Sequence, residues 1–172
     1  PGEFAGCPVA ADWLDPDRMI TTIAESPVRA GVIYVGTDDG NLQVSQDAGA
    51  TFTNVIGNVP GVRSAIQVTR VVPSNFDAAT AYASLDNHRN DDWKPYLFKT
   101  TDYGKTWTSV AGDLPVKGNI NAVREGNQNP NLLFAGTEFG LYATVDGGKS
   151  WKRFSNGLPT VRIDDLLIHP RD

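Results

Sequence analysis

The sequence predicts an all-β protein, and two observations lead to that fold class. Short segments rich in Val, Ile, Tyr, Phe and Thr alternate with clusters of Gly, Asn, Asp and Pro, which is the pattern of short strands joined by turns. No segment sustains the apolar period that a helix requires. The second observation is an internal repeat, which also sets the number of structural units.

An octet of the form Ser/Thr-x-Asp-x-Gly-x-Thr/Ser-aromatic occurs three times, at 45–52, 100–107 and 144–151. A proline follows each aromatic residue at the same spacing. In such a turn the Asp accepts backbone hydrogen bonds and the Gly supplies a left-handed backbone position. We therefore predict a structural role for the recurring octet residues. They are Ser45, Asp47, Gly49, Thr51, Phe52, Thr100, Asp102, Gly104, Thr106, Trp107, Thr144, Asp146, Gly148, Ser150 and Trp151.

Strand-like segments precede each octet, and the first of them begin near Ile20, Val68 and Ile120. The repeat therefore measures 48 residues from 20 to 68 and 52 residues from 68 to 120. Four-stranded units that repeat at this length are typical of the blades of a β-propeller. The apolar pattern of Ile20 returns once more at Ile163, which predicts the first strand of a further blade.

The repeat predicts a partial β-propeller with three four-stranded antiparallel blades and one extra strand. Residues 1–18 show no strand or helix period and are interpreted as a leader, a linker or an engineered segment. Residues 19–172 hold three blades at about 19–65, 66–118 and 119–160, and the extra strand at 161–169. The predicted strands are 19–25, 31–37, 41–46, 51–56, 66–72, 79–85, 95–100, 106–111, 119–124, 131–137, 140–145 and 150–155.

The composition of the 172-residue chain excludes several classes of protein. Acidic residues number 20 against 15 basic ones, giving a net charge of −5, which disfavours nucleic-acid and anionic-membrane partners. The single Cys7 excludes an internal disulfide, and two histidines exclude a His-rich metal site. No apolar run is long enough to span a membrane, and no nucleotide-binding fingerprint occurs. We therefore predict no metal, no cofactor, no nucleic-acid partner and no membrane partner.

The octets and their surrounding strands resemble the Asp-box repeat, also called the bacterial neuraminidase repeat. The segments 36–52 and 96–107 are similar to those of sortilin-type, exo-sialidase-like and photosystem II assembly-factor-like propellers. This resemblance implies a fragment of a larger propeller, in which the Asp-box turns are scaffold on the face opposite the active site. It also implies a secreted or periplasmic location, although the chain shows no signal-peptide pattern.

The rim opposite the octets is the candidate binding face, because the hairpins between the second and third strands of each blade open there. In blade two this hairpin carries a polar insertion within 86–94. The alternative interpretation is a solvated loop that packs on the next blade or on another subunit. The candidate rim residues are Asp38, Asp39, His88, Arg89, Asp91, Asp92, Trp93, Glu138 and Phe139.

Three function classes follow from these observations. The leading one is a non-catalytic scaffold or binding module that recognises protein or glycan. The alternative is a fragment of a glycoside hydrolase or sialidase-like enzyme, whose two carboxylates would come from the acidic rim residues. No motif maps the arginine triad of sialidases, so no catalytic residue is assigned. The third class, implied by the resemblance, is an assembly factor that grips a peptide of its partner.

Three blades do not close a ring, since propellers contain roughly four to eight. We predict a homodimer in which two copies join as half-rings of a six-bladed propeller with twofold symmetry. The extra strand at 161–169 would add to an edge or exchange with 19–25 of the second copy. The alternative is a larger assembly.

Overall fold

Three antiparallel sheets of four strands each follow one another along the chain. The computed structural model describes residues 19–62 and 66–169, so the predicted leader at 1–18 lies outside the described residues. The first sheet contains β1 (Ile20–Glu25), β2 (Ile33–Thr37), β3 (Leu42–Ser45) and β4 (Thr53–Asn54). The second contains β5 (Gln67–Pro73), β6 (Ala81–Asn87), β7 (Asp92–Thr100) and β8 (Thr108–Ser109). The third contains β9 (Ile120–Glu125), β10 (Leu133–Thr137), β11 (Gly140–Thr144) and β12 (Lys152–Phe154).

The sheets are blades of a partial β-propeller, which confirms the predicted fold class. Strand order within each sheet is sequential, and every strand pairs antiparallel with its neighbour in the chain. The first strands of the blades lie next to one another, with β1 against β5 and β5 against β9. Each of the twelve strands predicted within the three blades is present. The largest difference is at the start of β7, which begins at Asp92 rather than at residue 95.

The hydrophobic core lies between neighbouring blades. One cluster joins the first and second blades around Tyr34 and Val68, and a second joins the second and third blades around Ile120. Leu97 and Phe98 are adjacent on β7 but belong to different clusters, because successive side chains of a strand point to opposite faces. The middle blade is therefore covered on both faces, and burial of this apolar surface, at about 25 cal/mol per Å², favours the stacking of blades.

A bulge near the start of each first strand carries a polar side chain, and in the first two blades this side chain bonds to the next blade. The hydroxyl of Thr21 donates to the carbonyl of Val68, and the hydroxyl of Thr69 donates to the carbonyl of Ile120 at 3.0 Å. Asn121 holds the same position in the third blade. Its Nδ2 is buried and has no hydrogen-bond partner among the described residues.

Close approach between blades requires glycine at two equivalent positions. A Cβ on Gly36 would lie 2.4 Å from Cγ1 of Val68, and one on Gly136 would lie 2.6 Å from Cγ2 of Ile163. Val68 and Ile163 occupy the same place in the sequence repeat. Ile163 therefore packs against the third blade in the same way that Val68, in the first strand of the second blade, packs against the first blade.

Residues 161–169 form no regular strand, in contrast to the strand predicted there. The amide of Ile163 donates to the carbonyl of Thr137 at 2.9 Å, and Asp165 lies 2.9 Å from Arg124 and 3.4 Å from Arg70. A ladder needs a second strand, and the described residues supply none for this unit, so the segment is held by separate contacts. That it becomes a strand beside such a partner stays a prediction.

Candidate functional site

The two rims of the blades carry different kinds of turn. The octets lie between the third and fourth strands, and in each blade an octet amide donates to the turn between the first and second strands. These bonds join Ala48 N to Gly31 O, Tyr103 N to Ala79 O, and Gly147 N to Asn131 O, each at 3.0 Å. The hairpins between the second and third strands open at the other rim, as the antiparallel registers require.

Each octet is held by hydrogen bonds to its aspartate. In the first octet, Oδ1 of Asp47 accepts from the hydroxyl of Ser45 at 2.8 Å and from the amide of Thr51 at 2.9 Å. Its Oδ2 accepts from the hydroxyl of Thr51 at 2.6 Å, and the hydroxyl of Ser45 accepts from the amide of Gly49 at 2.8 Å. Because these donors favour the ionised form, with the Thr51 hydroxyl contributing most, they lower the pKa of Asp47 to about 2.

The second and third octets repeat this arrangement. Asp102 accepts from Thr100 and Thr106, and Asp146 accepts from Thr144 and Ser150, over 2.6–3.0 Å. The pKa values of Asp102 and Asp146 are lowered, mainly by the hydroxyls of Thr106 and Ser150 respectively. The glycines Gly49, Gly104 and Gly148 have φ values of 86°, 82° and 94°. The closing Trp107 and Trp151 are buried, while Phe52 is half-buried.

The octet aspartates therefore stabilise their own turns, because hydroxyl and amide groups of the same octet donate hydrogen bonds to both carboxylate oxygens. Each aspartate accepts its hydrogen bonds from residues of its own octet. Their structural role stays a prediction, and a substitution there acts first on the turn.

The insertion in blade two extends the β6–β7 hairpin rather than forming a separate loop. A short 3₁₀ turn at His88–Asn90 closes it, and Asp91 follows with φ of 58°. Asn87 pairs with Asp92 across the hairpin. The sequence could not show this, because polar residues in a hairpin end resemble those of a solvated loop.

Asp92 accepts three hydrogen bonds on this rim. Its Oδ2 accepts from the hydroxyl of Tyr96 at 2.6 Å and from Nδ2 of Asn87 at 3.2 Å, and its Oδ1 accepts from the amide of Lys94 at 3.3 Å. The hydrogen bond from Tyr96 is the main reason that the pKa of Asp92 is lowered. The pKa of Tyr96 is raised, chiefly by burial. Asp92 is therefore ionised at neutral pH.

A cleft of about 570 Å³ opens beside this network. Its walls combine two side-chain amides, a carboxylate, an ammonium group and a phenol ring, with backbone and apolar surface from the link between blades one and two. The lining residues are Gly61, Ile66, Asn87, Asn90, Asp92, Lys94 and Tyr96. Of the predicted rim residues only Asp92 lines it. Sequence analysis missed the others, although Asn87, Asn90 and Lys94 fall within the insertion it identified.

Trp93 lies on the opposite face of the β6–β7 hairpin from the cleft, because the cleft takes the alternate residues of β7. Its Nε1 donates to Asp91 at 3.2 Å, and its ring centroid lies 5.8 Å from that of His88 at a 36° tilt. Nδ1 of His88 is 2.7 Å from Oδ2 of Asp86. The insertion therefore has a polar face and an aromatic face.

The remaining predicted rim residues lie on the neighbouring hairpins. Asp38 accepts from the amide of Met19 at 2.8 Å, and Asp39 accepts from Thr37 and Asn41 within its own turn. Glu138 and Phe139 form the β10–β11 turn, where the carbonyl of Phe139 accepts from Arg153 at 3.2 Å. Arg89 lies within the 3₁₀ turn at His88–Asn90 and is exposed. The structure thus places the predicted rim residues on three hairpins, not in one pocket.

Residues 19–62 and 66–169 hold no group of three His, Cys, Asp or Glu side chains that could bind a metal ion. Cys7 lies outside these ranges. No helix in them is both long enough and apolar enough to cross a membrane.

Comparison with known sequences finds relatives of two kinds, and no family model matches the chain. A probable oligoxyloglucan-reducing end-specific xyloglucanase of Neosartorya fischeri is 28% identical across 95% of this chain and 19% of its own length. A xyloglucanase of Hypocrea jecorina is 26% identical across 76% of this chain and 17% of its own. Vacuolar protein sorting/targeting protein 10 of Aspergillus flavus is 30% identical across 66% of this chain and 7% of its own. The chain thus spans a fifth or less of the length of these relatives.

Several solved structures share the fold of this chain. The GH74 xyloglucanase of Xanthomonas campestris matches with a TM-score of 0.65 at 20% identity, over 89% of this chain and 26% of that one. YCF48 bound to D1 peptide matches with a TM-score of 0.57 at 18% identity, over 78% and 39%. The extracellular domain of a putative hybrid two-component system of B. thetaiotaomicron matches with a TM-score of 0.60 at 17% identity, over 87% and 19%. These likenesses establish blades of a β-propeller; the assignment of the octets as Asp-boxes remains a prediction.

Proposed function

We propose that this chain is part of a β-propeller glycoside hydrolase that acts on a xyloglucan-type β-glucan. The observation that carries the proposal is the cleft on the hairpin rim, in a chain whose similarity to a probable xyloglucanase covers 95% of its length. Ligands of propellers bind where the loops of one rim converge, and functional residues concentrate in such loops. In this proposal the β6–β7 hairpin forms part of the wall of a polysaccharide cleft.

The chemistry of the cleft suits a neutral sugar. The side-chain amides of Asn87 and Asn90 both donate and accept hydrogen bonds, as the hydroxyls of a sugar do. The ring of Tyr96 and the side chain of Ile66 add apolar surface for the faces of the sugar rings. A cleft that combines apolar surface with a few placed polar groups is typical of small-molecule and glycan sites.

Glycoside hydrolysis needs two carboxyl groups in different protonation states. Asp92 is held ionised by Tyr96, which suits a general base, a nucleophile or a stabiliser of positive charge, and does not suit a general acid. Among the described residues that line the cleft, Asp92 is the only carboxylate. The acid would therefore come from another part of a longer protein, and we expect the isolated chain to bind the glucan without cleaving it.

Titration calorimetry of the chain with xyloglucan oligosaccharides, together with a reducing-sugar assay, tests this proposal. Asp92→Asn should weaken binding, because an amide whose oxygen accepts from Tyr96 and Asn87 places its NH₂ group against the amide of Lys94 and disturbs the cleft wall. Asp113→Asn is the matched control, since Oδ1 of Asp113 accepts from the amide of Trp151 in another part of the fold. Absence of xyloglucan binding by the unsubstituted chain would refute the proposal.

The non-catalytic scaffold predicted from the sequence is the less favoured function, because two of the relatives are xyloglucanases. A second candidate, peptide binding, is supported by the structure of YCF48 bound to D1 peptide, which shares the fold. Binding of an unstructured peptide library in preference to glucan would favour this candidate. The similarity to the extracellular domain of a putative hybrid two-component system supports a secreted or extracellular location as part of the same proposal.

Closure of the ring by a second copy also remains a proposal. Ile163 already occupies the position on the third blade that Val68 occupies on the first, so a second copy would have to displace or exchange the segment 161–169. Light scattering at micromolar concentration tests the pairing. A dimer would support the half-ring arrangement, and a monomer would contradict it.

A further inference from the structure

The first blade has an open face at β1, where an apolar pattern that is buried elsewhere in the chain is exposed. Ile20 and Ile23 are exposed, whereas Ile120 and Val123, at the same positions of β9, are buried against the second blade. Among the described residues, none covers this face of β1. Exposed apolar faces of this kind mark surfaces that another unit covers.

The interface between the second and third blades shows what covers such a face. Glu125, the last residue of β9, is 2% exposed and lies against the second blade. Its carboxylate accepts from the hydroxyl of Ser74 at 2.8 Å, from the amide of Asn75 at 2.6 Å and from the hydroxyl of Tyr82 at 3.0 Å. Burial of a carboxylate is tolerated only where donors of this kind meet it. The preceding blade therefore presents two hydroxyls and one backbone amide to a single glutamate.

Glu25 holds the same position in the first blade, as the last residue of β1. It is exposed, and its Oε1 accepts from the amide of Gly31 at 2.8 Å in its own blade. A glutamate here is not a general feature of the repeat, because Pro73 and Ile168 hold this position in the second blade and in the segment 161–169. The face of β1 therefore combines the apolar positions and the glutamate that β9 buries against the second blade.

We propose that this face of the first blade docks a further propeller blade that presents a serine and a tyrosine hydroxyl to Glu25, as the second blade does to Glu125. The proposal rests on the proposed function in one respect, which is that the docking blade belongs to the same longer propeller. The carboxylate makes the face selective. A blade with apolar residues at both donor positions would bury Glu25 without hydroxyl partners, which is costly.

Neither the terminal residues of this chain nor a second copy of it offers these donors. Residues 1–18 and 170–172 contain no Ser, Thr or Tyr. In a second copy, the third blade carries Gly126 and Phe134 at the positions of the serine and the tyrosine. A half-ring dimer would therefore leave Glu25 without either hydroxyl. A blade from another part of a longer propeller is the occupant that fits.

A full-chain variant that carries the missing donors tests the docking face. Phe134→Tyr with Gly126→Ser places both hydroxyls on the third blade of one copy, where Glu25 of another copy can accept from them. Sedimentation equilibrium should show this variant associating at least roughly tenfold more tightly than the unsubstituted chain, because the new hydrogen bonds are made to a charged group. Displacement of the segment 161–169 is common to both proteins and cancels in the comparison.

A second variant guards against a folding defect. A Cβ on Gly126 would lie 2.8 Å from Cδ2 of Leu132, so Phe134→Tyr alone adds one hydroxyl without this contact. Its gain in affinity should be smaller than that of the double variant and larger than none. Unfolding midpoints verify that each variant is folded.

The gain in affinity must depend on Glu25. Glu25→Ala in the double variant should return the dissociation constant to that of the unsubstituted chain. Asp91→Asn is the matched control, because it also removes one negative charge but lies in the β6–β7 hairpin, and it should keep the gain. A gain that survives Glu25→Ala, or no gain in either donor variant, would overturn the proposal. Association of the unsubstituted chain as tight as that of the double variant would assign the face to a second copy instead.

Titration calorimetry of the unsubstituted chain with xyloglucan oligosaccharides separates the docking face from the proposed function. Glucan binding without association that depends on Glu25 would refute the docking face alone. Association that depends on Glu25 without glucan binding would refute the proposed function, and the docking face would stand.

Discussion

The first strands of the first and third blades carry the same apolar pattern but lie in opposite environments. Ile20 and Ile23 of β1 are 54% and 67% exposed, whereas their counterparts Ile120 and Val123 of β9 are fully buried. The difference lies in what covers each strand, since β9 packs against β5 while nothing in the described residues covers the corresponding face of β1. Sequence pattern therefore determines which face is apolar, and the neighbouring blade determines whether it is buried.

Glu125 and Glu25, which hold the same position in the third and first blades, show the same contrast between a buried and an exposed side chain. Glu125, at the end of β9, is buried and accepts from the hydroxyl and amide groups of Ser74, Asn75 and Tyr82 at 2.6–3.0 Å. Its counterpart Glu25, at the end of β1, is exposed and accepts from the amide of Gly31 in its own blade. Glu125 thus binds the preceding blade. Glu25 has the same position in its blade, but no described residue forms a preceding blade beside it.

The largest effect is expected from truncating the buried member of the isoleucine pair. Ile120→Ala should lower the free energy of unfolding by about 2–5 kcal/mol, because it removes buried methylene groups and leaves a cavity. Ile20→Ala should change it by about 0.5 kcal/mol or less, as exposed substitutions do. Urea unfolding of both variants measures the difference. Equal losses would mean that β1 is also covered in solution.

Gly36 and Gly136 provide the next comparison. Gly36→Ala should cost about 1–3 kcal/mol, because its Cβ meets Val68 in the core. Gly136→Ala meets Ile163 in a segment held by separate contacts, so we expect release of that segment with a smaller loss of global stability. Hydrogen exchange at Ile163 and thermal unfolding distinguish the two effects. Unchanged protection at Ile163 in Gly136→Ala would contradict this interpretation.

Substitution in the glutamate pair is expected to lower the free energy of unfolding by a similar or smaller amount. Glu125→Gln should lower the free energy of unfolding by about 1–3 kcal/mol, because the amide places a donor against Ser74, Asn75 or Tyr82. Glu25→Gln keeps an oxygen acceptor for Gly31 at an exposed position and should be close to neutral. Chemical unfolding at neutral pH measures both. A strong effect of Glu25→Gln would indicate that Glu25 binds a second copy.

The smallest expected effect is a dependence of stability on pH that arises from the octet aspartates. The folded pKa of Asp47 is lowered from 3.8 to about 2, so the unfolded chain binds more protons between those values. The contribution of Asp47 to stability is present above about pH 4 and is lost as the pH falls through 2. Thermal unfolding of the unsubstituted chain and of Asp47→Asn between pH 2 and 5 should show a shallower slope for the variant. Identical slopes would contradict the proposed turn network.

The sequence predicted the blades well because their determinants are local. Short β-branched and aromatic segments, the octet turns and the spacing from Ile20 to Val68 to Ile120 recur within one repeat, and each is visible without knowledge of the partner blade. The segment at Ile163 repeats the same apolar signature. Its lack of strand pairing reflects the absence of a second strand for it in the described residues, which no local pattern reveals.

The candidate site was predictable only in outline. The insertion at 86–94 stood out by its length and polarity, and it does carry most of the cleft wall. The hydrogen bond from Tyr96 to Asp92 and the contribution of Gly61 and Ile66 depend on packing between blades. Asp92 and Trp93 were both predicted on the binding rim, and the alternation of side chains along a strand places them on opposite faces of the hairpin.

The hydroxyl of Tyr34 limits how these blades can be rearranged. Tyr82 donates to Glu125 of the following blade. For Tyr34, the residue at the position equivalent to Glu125 is Pro73, which has no side-chain acceptor. The Tyr34 hydroxyl therefore has no acceptor among the described residues. The third blade carries Phe134 at this position and needs no acceptor. Blades of this kind are therefore not interchangeable modules. If blades are duplicated or reordered so that a blade with Tyr precedes a blade with Glu, the Tyr–Glu hydrogen bond forms. If a blade with Tyr precedes a blade with Pro, the core contains an unsatisfied hydroxyl.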